Sequence, residues 1–127
     1  MATINNLKLE LLEHNHKNHT AKVRVSYLAV LSQVERHMTG LRFRERIQLW
    51  GADWPDADDY LYEFATSSFL KETDAVVNRS RTVTVGDDVL DEDGWFRPTD
   101  EVYAKVWITP LLPSTGYARS NEIHHKF

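Results

Sequence analysis

Cysteine is missing from the chain altogether. Its absence excludes disulfides, thiolate metal sites and cysteine nucleophiles. Long apolar runs are missing too, and no stretch approaches the roughly 20 residues of a membrane-spanning helix. Residues 1–12 lack a positively charged start and a continuous apolar run, so no secretory signal is expected and the cytoplasm is the expected compartment. Positive charge is not in excess: the formal charge is −4 at pH 7, which argues against a general nucleic-acid binder. No phosphate-binding or dinucleotide-binding glycine motif occurs, and no serine sits in a nucleophile elbow. Paired carboxylates are plentiful, but nothing marks a catalytic set, so no enzyme is expected.

What is present points to a packed β domain. The 127 residues give room for one domain with one core, and 14 aromatic residues (four Trp, five Tyr, five Phe) favour a packed interior. The apolar pattern has period two. In Lys22–Leu31, Val23, Val25, Tyr27, Ala29 and Leu31 share one face, and Lys22, Arg24 and Ser26 share the other. In Leu41–Trp50, Leu41, Phe43, Ile47 and Leu49 alternate with Arg42, Arg44, Arg46 and Gln48. Tyr60–Leu70 places Tyr60, Tyr62 and Phe64 on one side. Arg79–Val85 sets Ser80, Thr82 and Thr84 on a polar face. Glu101–Thr109 has apolar residues on both faces, the pattern of a central strand.

Turn-rich segments separate these runs. Strands are expected at 7–12, 21–31, 41–50, 60–70, 75–85, 101–109 and 117–124, with single helical turns within Ser32–Thr39 and Asp87–Asp91. Residues 116–127 read as an edge strand or a flexible tail. The expected fold is all-β, an antiparallel sandwich of about seven strands, immunoglobulin-like or C2-like. The stretch Asp100–Tyr103 before a buried-looking strand is a candidate tyrosine corner.

If successive strands run antiparallel, the first, third and fifth connections share one end. They hold His14, His16 and His19, then Asp53, Asp56, Asp58 and Asp59, then Asp87, Asp88, Asp91, Glu92, Asp93 and Asp100. Clustered carboxylates repel one another, and a hard cation with about six to eight oxygen ligands relieves that repulsion. The same residues also suit solvated turns, since Asp is a preferred turn former. The histidines suit zinc or nickel in principle, or an ordinary polar loop.

Asp53 and Asp59 are six apart and precede Tyr60, and Asp91 and Asp93 form an Asp-x-Asp pair with Asp100 seven residues on. This arrangement resembles the two calcium loops of C2 domains. The resemblance implies calcium as the cofactor and Asp53, Asp59, Asp91, Asp93 and Asp100 as its ligands. The sequence departs from that pattern in the last spacing and in lacking a proline before Tyr60.

A second candidate site is basic. Arg42, Arg44 and Arg46 share one strand face that ends in Trp50. Lys22 and Arg24 occupy another strand's polar face, and Arg79 and Arg81 join a basic surface if their strand turns them outward. Such a stripe beside an aromatic suits an anionic partner, or a solvated face. The expected role is a non-catalytic binding or assembly module. Its expected partner is a protein or a second copy, with nucleic acid disfavoured. The alternatives are a self-associating structural subunit without metal and an anion-binding module built on the arginine face.

Overall fold

In a computed structural model, residues 2–52, 57–71, 75–91, 101–111, 118–122 and 124–126 are described. The alternation in Lys22–Leu31 becomes the spine of one sheet. There, β1 (Thr3–Asn15) pairs with β2 (Thr20–Val30), and β2 pairs on its other side with β6 (Val76–Gly86), all antiparallel. The arginine-bearing strand is the spine of the second sheet. Here β3 (Arg42–Gly51) pairs on one side with β7 (Val102–Leu111). Its other side is shared by two short strands, β4 (Asp59–Glu63) and β5 (Ser67–Leu70).

The two sheets face each other as a β-sandwich. Val23, Val25, Tyr27, Ala29 and Leu31 are buried as their parity predicts, against Leu41, Phe43, Ile47 and Leu49. The apolar core falls into two clusters. One holds Tyr27, Ala29, Leu41, Phe43, Phe69 and Val77, and the other Val23, Val25, Ile47, Leu49 and Phe64. Between Phe43 and Ile47 on the same face of β3 stands Glu45, which is 1% exposed.

The links follow local chemistry. α1 (Gln33–Arg36) is a single turn closed by a capping box: Ser32 Oγ accepts from the Glu35 amide, and Glu35 accepts in return from the Ser32 amide. Gly40, at φ +74°, turns the chain into β3. α2 (Asp87–Leu90) is a second single turn, directly after β6.

Several expectations need correction. The 60–70 strand is two strands, because its second half leaves β3 near Phe64 and rejoins it at Ser67. A register irregularity opposite Leu49 and Trp50 sets Tyr60 against Trp50 and Tyr62 against Leu49. Tyr60 therefore lies on the outer face, while Tyr62 packs on the core with Phe64. β7 is an edge strand, not a central one, since among the described residues it pairs with β3 alone. Of its outer aromatic residues, Trp107 lies against the Arg46 guanidinium and Tyr103 donates its hydroxyl to the Asp58 carboxylate. Residues 118–122 and 124–126 form no strand.

Candidate functional site

Alternation along β3 sends Arg42, Arg44, Arg46, Gln48 and Trp50 to the outer face of the second sheet. The cross-strand register decides what each of them meets. Arg46 stands opposite Trp107 of β7, with its guanidinium 5.3 Å from the ring centre. Arg46 also donates to Glu63 Oε1 through Nε and Nη2, at 3.2 and 3.0 Å. Gln48 donates to the same oxygen at 3.3 Å and accepts from Trp50 Nε1 at 2.9 Å. The Arg46 hydrogen bonds, then that of Gln48, hold the Glu63 carboxyl below its ordinary range. Lys105 Nζ lies 3.8 Å from the Trp50 ring centre, and Tyr60 meets that indole edge-on.

The other half of the face is different. Arg44 stands between Ser68 and Thr109, and Arg42 between Leu70 and Leu111. None of these neighbours carries charge, and among the described residues no carboxylate pairs with Arg42 or Arg44. Leu70, Trp107 and Leu111 remain 49%, 41% and 37% exposed around them. The four residues singled out in the sequence, Arg42, Arg44, Arg46 and Trp50, thus share one surface. Lys105, Trp107 and Tyr60 complete it. They were hidden because their contribution depends on which strands flank β3.

The other basic residues go elsewhere. Lys22 and Arg24 lie on the outer face of the first sheet, where Arg24 donates to Glu10 at 3.1 Å. Arg79 and Arg81 turn inward. Arg79 donates to Glu45 through Nε (3.0 Å) and Nη2 (3.3 Å), and Arg81 Nη1 donates at 2.7 Å. The Tyr27 hydroxyl also donates to Glu45. Arg79 lies over Phe69 and Arg81 over Phe64, and Arg81 Nη2 reaches the Ala65 carbonyl. Burial pushes the Glu45 carboxyl up, but the hydrogen bonds from Arg79, Tyr27 and Arg81 outweigh it, and the group sits below its usual range. Burial, followed by the hydrogen bond to Glu45 and then its charge, raises Tyr27 well above an ordinary phenol. Both carboxylate oxygens are occupied and the Glu45 side chain is fully buried, so the cluster clamps the two sheets together.

The described ends of the three connections expected at one pole meet one another. The Asp87 amide donates to the His19 carbonyl at 2.9 Å, and Ala52 donates to the Glu101 carbonyl at 2.7 Å. Leu90 of α2 packs with Tyr62 of β4 in one cluster. The Asp87 carboxylate meets His14 Nε2 at 3.1 Å and His19 Nδ1 at 3.7 Å, and the rings of His14 and His16 lie 4.0 Å apart. The His14 hydrogen bond is the main cause that lowers the Asp87 carboxyl. Of the expected calcium ligands, Asp59 and Asp91 are exposed near this pole, and Asp53, Asp93 and Asp100 lie outside the described residues. Among the described residues, no three metal-ligating side chains converge on one point. The candidate tyrosine corner instead sends the Tyr103 hydroxyl to the Asp58 carboxylate.

No helix among the described residues is long and apolar enough to cross a membrane. Set against family models, curated proteins and solved structures, the chain has no match.

Proposed function

We propose that this chain is a non-catalytic binding module whose outer β3 and β7 face takes an acidic, partly apolar segment of a protein partner. One observation carries the reading: Arg42 and Arg44 stand exposed and, among the described residues, without a carboxylate, ringed by exposed Leu70, Leu111 and Trp107. Arginine forks match carboxylates in pairs of hydrogen bonds, and arginine with aromatic and aliphatic anchors is the composition of a protein interface. The remaining charge on the face is already engaged, Arg46 by Glu63 and Lys105 by Trp50, so an incoming carboxylate meets the unengaged pair.

The test is titration of a labelled peptide that alternates Glu with Leu, followed by fluorescence anisotropy. Binding is expected to weaken with added salt. Arg42→Ala with Arg44→Ala should cost about tenfold in affinity, on the order of the 1.4 kcal/mol of one charge-assisted contact. Lys22→Ala on the opposite sheet should change nothing. Equal affinity in the double variant, or tighter binding of a single-stranded oligonucleotide than of the peptide, would sink the reading.

A further inference from the structure

A β-sandwich has four outer strand edges, and an exposed edge invites another strand unless something blocks it. Three edges of this molecule carry a block. β1 is broken by irregularities between Asn5 and Lys8 and between Leu11 and Glu13, with Asn6 at φ +54°. The β4 and β5 edge is divided into strands of five and four residues. β6 turns Arg79 and Arg81 inward, and inward-pointing charge is a recognised guard.

β7 lacks these devices. It runs for 10 residues in unbroken register with β3, from Val102 opposite Gly51 to Leu111 opposite Arg42. Among the described residues no strand occupies its far edge. Its inner face is apolar (Val102, Ala104, Val106, Ile108) and only partly buried. Pro110, which has no amide hydrogen to donate, lies near one end, where its cost to pairing is smallest.

We infer that the edge of β7 away from β3 pairs antiparallel with the same edge of a second copy, about a two-fold axis at Val106. The sequence of β7 is self-complementary in that register. Lys105 of one copy falls opposite Trp107 of the other, and the reverse, which sets a cation beside an indole twice. On the inner face Ala104 falls opposite Ile108, a small residue against a large one. Val102 and Pro110 close the two ends. A two-fold axis uses one patch on both copies and closes the assembly at a dimer. It also joins the two outer faces, so that Arg42 and Arg44 of both copies lie on one continuous sheet.

Sedimentation equilibrium of the full chain tests this, with no peptide present, so failure here leaves the acidic-partner reading standing. The expected mass is twice 14.8 kDa, with dissociation on dilution. Trp107→Lys places two ammonium groups opposite each other at both cross-strand pairs, and should weaken the dimer roughly tenfold or more while far-UV circular dichroism stays unchanged. Lys105→Glu combined with Trp107→Lys restores opposite charges and should restore the dimer. A mass of 14.8 kDa at every attainable concentration overturns the inference. So does a folded Trp107→Lys variant that dimerises as well as the parent, or a folded double variant that stays monomeric.

Discussion

Replacing Glu45 by Ala leaves Arg79 and Arg81 half-buried with no counter-charge and removes the acceptor of the Tyr27 hydroxyl. Breaking such a cluster from one side is expected to cost about 3–5 kcal/mol, far more than losing an exposed ion pair. Urea unfolding measures it, and a loss below about 1 kcal/mol would show the clamp to be dispensable. The pH dependence has a definite sign. The folded state holds Glu45 below its ordinary range, so its contribution is complete above that range and is lost as pH falls through the lowered value. Glu45→Gln should therefore flatten the loss of stability between neutral and acid pH. In the sequence, Glu45 reads only as an interruption of an apolar series. Its signal was parity: Arg79 and Arg81 share theirs with Val77, Val83 and Val85, so β6 carries charge on its inner face where β3 carries an acid. Matching the two requires knowing that β6 and β3 face each other, which no local pattern states.

At the scale of elements, Gly40 makes a sharp prediction. A Cβ there meets nothing within 4 Å, yet φ is +74°. The cost of Gly40→Ala is thus conformational and not steric, about 1 kcal/mol in urea unfolding, and Gly40→Asn should cost less because Asn tolerates this region. No change with Ala would mean that the turn relaxes. The strands themselves were largely legible, since period-two alternation in β2 and β3 is a direct consequence of one buried face. Two features were not. The split of β4 from β5 depends on where β3 offers a free edge. β7 reads as central because both its faces are rich in apolar atoms, but Trp107 meets the Arg46 guanidinium and Tyr103 the Asp58 carboxylate on an outer face. Periodicity reports that a face is apolar, not what covers it.

For the whole molecule, the class of fold and the grouping of Arg42, Arg44, Arg46 and Trp50 followed from alternation. The division of cations did not: one set lies on an outer face, one clamps the interior, and Arg24 pairs with Glu10 on the opposite sheet. That division depends on strand order. The first sheet takes β1, β2 and β6, and the second takes β3, β4, β5 and β7, so the chain passes back and forth between layers. The pairing of Thr20 with Gly86 spans much of the chain. Folding dominated by such distant pairings is slow, on the order of milliseconds to seconds. Stopped-flow refolding in microseconds would contradict it. During synthesis the consequence is one of timing. The β1–β2 hairpin can close early, but the far side of β2 waits for β6, while three strands of the other layer are made. For that interval β2 presents Val23, Val25 and Tyr27 with neither their lateral neighbour nor their full cover, which makes the unfinished chain, more than the finished one, a natural client for a chaperone.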